Sequence, residues 1–461
     1  MNFVRDRKSI QPNYINIFIL LSILLLGVAI KIKFAFQDSL WPDEALYLYI
    51  ARNLSSDLMN LRDITGEIFY QSPPVLMYLL SFVKGLGYIE FDKAARILIV
   101  LMGAGTVLTT YFIGKKLYNP MVGIAAALFL AVCPLSNWTG VRILTDVPVV
   151  FFIYLSICML LYEKKAAFYF FGVCAVMTKY SAFPVLFLPL ILKLKPRSWV
   201  SFYLLSFVAL FAFVVSKNYY SKPDGWIGYF YNFFNIPNTL HMAKEIEYFL
   251  GYFIVGFILL GIAFTVKERK FSALFHWVCI FGIFRIFLPW IVFRVSRYTL
   301  PLYPGLYIFA AYGCYRGAQL VASKWPVYSK SVNLFFIVAI AVVLGQHTFK
   351  SLGMLDGTRN TFTGYKQACE FLQGQPEPHS VATASPRQMK YFAPSFDVHD
   401  IAANVTPEKL KEFIEKAGVE YLSIDLWSPH LPSWCQSYDY KKNGYALIYK
   451  GQNIYLFKVL F

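Results

Sequence analysis

The sequence predicts a polytopic α-helical membrane protein of about eleven transmembrane helices with a small C-terminal α/β domain. Three observations predict it. Hydrophobic residues make up 57% of the 461 and charged residues 15%, against roughly 45–50% and about 25% in soluble domains. Apolar runs close to the roughly 20 residues that cross a bilayer recur along the chain. Basic residues collect in the short segments between those runs (Arg5/Arg7/Lys8, Lys115/Lys116, Lys164/Lys165, Lys193/Lys195/Arg197, Lys267/Arg269/Lys270, Arg316/Lys324/Lys330), as cytoplasmic loops do. So apolar a chain cannot cover a water-facing exterior, and with 7 cysteines it is no disulfide scaffold. The net charge of +17 belongs to topology, and no nucleic-acid motif accompanies it.

The first span covers about 14–36 and reads as an anchor, because no small-residue cleavage site follows it. Lys31 and Lys33 near its outer end can snorkel. Residues 37–93 are too polar to cross, and their acids (Asp38, Asp43, Glu44, Asp57, Asp63, Glu67, Glu90, Asp92) outnumber their bases, which suits an external loop. Within it, Glu44–Leu54 and Pro74–Gly85 read as short helices lying on the surface. Further spans fall at about 95–114, 121–141, 147–162, 166–178, 181–192, 199–216, 247–266, 271–291, 299–316 and 332–347. The short 166–178 and 181–192 also suit half-helices or a re-entrant segment. This alternation puts every basic cluster inside and the C-terminus outside. From about Lys350 the composition becomes that of a soluble domain, dividing the chain into a membrane module, 1–349, and an α/β domain, 350–461. Thr406–Ala417 reads as helix; Val419–Asp425, Ala446–Lys450 and Asn453–Val459 read as strands. A disulfide between Cys369 and Cys435 is permitted on that side, though nothing in their spacing fixes it.

Ionisable groups beside a bilayer are costly, so their placement carries information. Parity alone brings to one membrane face Asp43–Glu44, Arg142 and Asp146, Lys179–Tyr180, and Arg294, Arg297 and Tyr298. Sugar transfer from a lipid phosphate needs this mixture. Cations stabilise the departing phosphate, and a carboxylate takes the proton of the attacking hydroxyl.

Asp43-Glu44-Ala45-Leu46-Tyr47 with Ala51, Ser72-Pro73-Pro74-Val75-Leu76, Arg96 opening the second span, Leu144-Thr145-Asp146-Val147-Pro148, Thr178-Lys179 and Arg297-Tyr298-Thr299-Leu300-Pro301-Leu302-Tyr303-Pro304 follow one another in order. In this the chain, over roughly 10–320, resembles the GT-C membrane glycosyltransferases, in the branch of the protein O-mannosyltransferases and lipid A aminoarabinose transferases. The resemblance implies inverting transfer from a polyprenyl-phosphate sugar to an acceptor hydroxyl on a glycan, lipid or protein. Asp43 would be the base. Glu44 and Asp146 would shape the site, orient the acceptor or, with Asp43, hold a divalent metal if one is used. Lys179, Tyr180, Arg294, Arg297 and Tyr298 would serve the donor, with Arg96 and Ser72 as further binding candidates. Relatives carry Lys or His before the Pro-Pro, where this chain has Ser72. The implied location is the plasma (inner) membrane of a prokaryote, with the site and the C-terminal domain extracytoplasmic.

Structural readings stand beside these. Glu44 suits an early-turn cap, Asp146 an N-cap ahead of Pro148, Arg96 a snorkelling residue and Arg297–Tyr298 an interfacial anchor. Arg285 inside an apolar run has no assignment. The six histidines show no zinc-ligand spacing. A transporter or lipid-linked sugar flippase is the alternative, although no inverted repeat is visible. A third reading is a membrane-anchored binding protein acting through 350–461.

Overall fold

The computed structural model describes residues 14–36, 40–69, 72–87, 89–188, 244–268, 296–324, 329–359, 361–376, 379–426, 428 and 431–461. The expected spans 199–216 and 271–291, with His241, Arg285 and Arg294, lie outside the described residues. The chain divides into two units. One comprises Met1–Lys31, Val100–Thr139 and Thr145–Leu352, the other Ile32–Ile99, Gly140–Leu144 and Gly353–Phe461.

Two helices, α1 (Tyr14–Ala35) and α4 (Phe91–Leu117), are long and apolar enough to cross a membrane. Two bent pairs bring the number of such crossings to as many as four among the described residues. The expected span 121–141 is one of them: α5 (Pro120–Ala131) and α6 (Pro134–Gly140) meet at 58°. The cause is local, since Pro134 supplies no amide hydrogen to the ladder of the preceding turn. Asn119 starts α5, its side chain accepting from Val122 N–H at 3.0 Å ahead of Pro120, and Pro is favoured at this first helical position. The expected spans 147–162 and 166–178 correspond to α7 (Asp146–Leu161) and α8 (Lys165–Val176). The expected 181–192 begins as a 3-10 segment, Tyr180–Phe187. Lys31 is buried rather than snorkelling, and its ammonium donates to Asn137 Oδ1 at 2.7 Å.

Helix α9 (Tyr252–Lys267) follows a short helix, Lys244–Leu250, at a 104° bend. It crosses α10 (Tyr303–Lys324) where the two backbones touch. A Cβ on Gly313 would lie 2.0 Å from Phe257 O, and one on Gly261 2.0 Å from Phe309 O. Only hydrogen fits at this crossing, the close approach that small residues permit between membrane helices. Gly313→Ala is therefore expected to cost about 1–3 kcal/mol through forced separation of the helices. Gly256→Ala in α9, whose Cβ would meet open space, is the neutral control. Thermal unfolding of the two purified variants checks the difference, and equal midpoints would refute the packing argument.

In the other unit, α2 (Pro42–Leu54) packs with α3 (Val75–Leu86), close to the two short helices expected from the sequence. Helix α11 (Ser329–Thr358) runs into the C-terminal region. There a five-stranded sheet is ordered β2-β1-β3-β5-β4. Its strands are β1 (Ser380–Thr383), β2 (Asp397–Asp400), β3 (Tyr421–Asp425), β4 (Tyr445–Lys450) and β5 (Ile454–Val459). β1 pairs in parallel with β2 and β3, and β5 antiparallel with β3 and β4. Every residue of β1 and β3 is buried, as strands covered on both faces are. One core contains Tyr365, Leu372 and Met389, from α12 (Tyr365–Gln373) and α13 (Pro386–Phe392). The other contains Leu410 and Ile414 of α14 (Pro407–Ala417). Cys369 belongs to the first core and Cys435 to the second, and both are free. Burial, with the Glu370 carboxylate adding to it, pushes the Cys369 thiol up to about 12.

Candidate active site

Helix α2 begins Pro42-Asp43-Glu44, and its first two acids face different surroundings. Glu44 is fully buried. Its carboxylate accepts from Trp41 N–H at 2.8 Å, closing the first turn of α2 as a cap. It also accepts from Ile143 N–H at 2.6 Å and lies 3.4 Å from the Arg96 guanidinium. Arg96, equally buried, donates to Val141 O at 2.6 Å. Glu44 and Arg96 thus tie α2 and α4 to the 141–143 segment. The other residue, Asp43, keeps 34% of its side chain exposed and accepts from Arg387 Nη1 at 2.8 Å. Arg142 lies over the Trp41 ring, 4.6 Å from its centroid, and donates to Thr358 Oγ1 at 2.7 Å. At the far end of α2, Arg52 donates to Tyr391 O at 3.1 Å and lies over the Tyr391 ring. Burial pushes that phenol up to about 12, with the Arg52 cation pulling the other way.

A second charged cluster lies in the other unit. Asp146 is the first residue of α7, where the helix dipole favours a carboxylate. Lys179, in extended backbone just before the 3-10 turn that Tyr180 opens, donates to Asp146 Oδ1 at 2.6 Å. Arg297 Nε lies 3.7 Å from Asp146 Oδ2. The Tyr298 ring has the Lys179 ammonium 4.2 Å and the Arg297 guanidinium 5.5 Å from its centroid. Tyr154 fixes the 3-10 segment carrying Arg297 and Tyr298 (Ser296–Leu302) onto α7, donating to Pro301 O at 2.8 Å and accepting from Gly305 N–H at 3.1 Å. Two cations thus meet at one acid, and cations of this kind hold phosphate oxygens.

Of the residues read from the sequence, Asp43, Glu44 and Arg96 thus fall in one cluster and Asp146, Lys179, Arg297 and Tyr298 in another. Ser72 sits in the bend ahead of Pro73 and Pro74, partly buried. Arg294 lies outside the described residues. Sequence reasoning missed Arg387 and Arg52. Arg387 follows a plain Ser-Pro in the soluble region and has no local mark, while Arg52 reads as an ordinary last-turn helix residue. As a metal set the carboxylates fit poorly. Among the described residues no group of three or more His, Cys, Asp or Glu could hold a metal ion. Asp43, Glu44 and Asp146 each face a cation of this chain instead.

Residues 71–220 match the family of dolichyl-phosphate-mannose-protein mannosyltransferases. Compared by sequence with curated proteins, the chain has no significant match. Among solved structures it is similar to ArnT from Cupriavidus metallidurans bound to undecaprenyl phosphate. The TM-score is 0.57 at 14% identity, over 96% of this chain and 97% of that one. The chain has the GT-C fold. Two further GT-C structures resemble it. The archaeal oligosaccharyltransferase AglB from Archaeoglobus fulgidus, in complex with an inhibitory peptide and a dolichol-phosphate, gives a TM-score of 0.56 at 12% identity, covering 90% of this chain and 69% of that one. The arabinofuranosyltransferase AftD from Mycobacteria gives 0.53 at 12% identity, covering 95% of this chain and 40% of that one. GT-C chains of this kind are polytopic membrane proteins with a C-terminal domain, and here that region holds the mixed sheet.

Proposed function

We propose that this GT-C protein is an inverting glycosyltransferase that moves a sugar from a polyprenyl phosphate to an acceptor hydroxyl on the non-cytoplasmic face of a prokaryotic inner membrane. The observation that carries the reading is the Asp146 cluster, which brings the cations Lys179 and Arg297 together from distant segments on a GT-C fold. Lys179 and Arg297 take the donor phosphate, with the Tyr298 ring beneath them, and Asp146 holds both cations in place. Asp43 accepts the proton of the acceptor hydroxyl. The freed oxygen attacks the anomeric carbon from the face opposite the phosphate, the bond from that carbon to the phosphate oxygen breaks, and the lipid phosphate leaves with the added charge. Glu44 and Arg96 act as a structural pair in this reading. The membrane module has about eleven crossings with the α/β domain outside, as the basic loops indicate.

The test uses the purified full-length protein in lipid vesicles with a labelled polyprenyl-phosphate sugar and a cell-envelope acceptor fraction. Label reaching the acceptor with release of free lipid phosphate supports transfer. Label that crosses the bilayer with its phosphoester intact would favour a flippase instead.

A further inference from the structure

We propose that Arg387 is a positioning residue for the Asp43 carboxylate, supplied by the C-terminal α/β sheet. The inference rests on reading Asp43 as the base of the proposed transfer.

Arg387 is the second residue of α13, which leaves the carboxyl end of β1 after Ala384 and Ser385. In sheets with parallel strands, functional groups gather outside the carboxyl ends of those strands. β1 is parallel to both of its neighbours, so the residues after it occupy that edge. From there Arg387 Nη1 donates to Asp43 Oδ1 at 2.8 Å across 344 positions of sequence. The exposed pairs Lys93–Glu90, Arg359–Asp356 and Lys442–Asp439 join residues three apart on the same stretch of chain. Such exposed pairs follow from proximity in sequence and contribute little to stability. The Arg387–Asp43 pair needs the sheet and α2 to be held together.

They are held at two other places. Trp41, two residues before Asp43, packs against the core containing Tyr365 and Met389 and meets the Phe362 ring edge-on at 5.6 Å. Arg52 grips Tyr391 of α13 by a hydrogen bond and by stacking. With α2 anchored on both sides of Asp43, the Arg387 guanidinium approaches the carboxylate from a fixed direction. About a third of each side chain remains exposed, 32% and 34%, so the pair stays within reach of solvent. A base held this way presents its carboxylate in one orientation, and a displacement of about 1 Å in such a group can cost on the order of 100-fold in rate. The C-terminal domain then sets the turnover of the transfer, although no C-terminal residue takes part in the bond changes.

The test compares wild type, Arg387→Gln, Arg387→Lys and Asp43→Asn as full-length proteins, with kcat, donor KM and thermal midpoint measured for each. Arg387→Gln is expected to lower kcat about 10- to 100-fold with the donor KM and the midpoint unchanged. Arg387→Lys, which keeps the charge and loses the fork, should recover most of that loss. Wild-type kcat in Arg387→Gln beside an inactive Asp43→Asn overturns the role of Arg387 and leaves the base in place. An active Asp43→Asn instead overturns the reading on which the inference rests. Equal losses in Gln and Lys with a lowered midpoint would make Arg387 a structural residue and refute the proposal.

Discussion

Replacing Asp43 by Asn is expected to leave a folded, membrane-inserted protein whose transfer rate falls by about 10²- to 10⁴-fold, the range for losing a general base. Folding survives because little depends on the negative charge. Asp43 is 34% exposed and its partner Arg387 32% exposed, and exposed ion pairs contribute about 0–1 kcal/mol. Asn keeps the shape of the side chain and an oxygen that accepts from Arg387, so the contact persists in weaker form. What Asn lacks is basicity. It cannot take the hydroxyl proton as the new bond forms. Initial rates with the lipid-linked donor, paired with the thermal midpoint, check both halves of this expectation. A variant with the wild-type rate would remove Asp43 from the chemistry, whatever its midpoint.

The membrane character of the chain was legible because the cost of burying charge leaves long apolar runs that composition alone exposes. The short helices of the first loop were legible for a related reason: α2 and α3 are apolar but too short to cross. In the C-terminal region the elements with strong local chemistry were readable. Thr406 caps α14, accepting from Lys409 N–H at 3.4 Å, and Gly418 ends it at a φ of +64°. β1 and β2 were missed because each is four residues long, too short for a period to show. The charged residues were visible as types, whereas their partners were not. Nothing local in Pro-Arg-Gln links Arg387 to Asp43, since their meeting depends on sheet topology. The break between α5 and α6 was marked by Pro134, but the surrounding apolar residues read as one continuous span. Lys31 misled for a similar reason. Its snorkelling reading assumed a lipid neighbour, whereas α6 offers the Asn137 amide.

Glu44, one residue further on, is expected to fail in the opposite way. Glu44→Gln should destabilise the protein by about 3–5 kcal/mol, the cost of breaking one side of a buried ion pair. The reason lies in the number of groups that share its carboxylate. Trp41 N–H and Ile143 N–H both donate to it, one to each oxygen, and Arg96 lies beside it with only 2% of its side chain exposed. Gln offers one acceptor oxygen, so whichever way its amide turns, one backbone N–H meets an NH₂ group and the Arg96 charge loses its buried counter-ion. The change also weakens the cap that starts α2, and with it the placement of Asp43, so activity falls as a consequence of structure. Two controls separate this from a chemical role. Lowered temperature or a stabilising lipid should restore activity to Glu44→Gln but not to Asp43→Asn. The double variant Glu44→Leu, Arg96→Met should be more stable than either single change, because removing both charges leaves no orphan. A Glu44→Gln protein with a wild-type midpoint and no activity would place Glu44 in the chemistry and contradict the structural role that its buried contacts support.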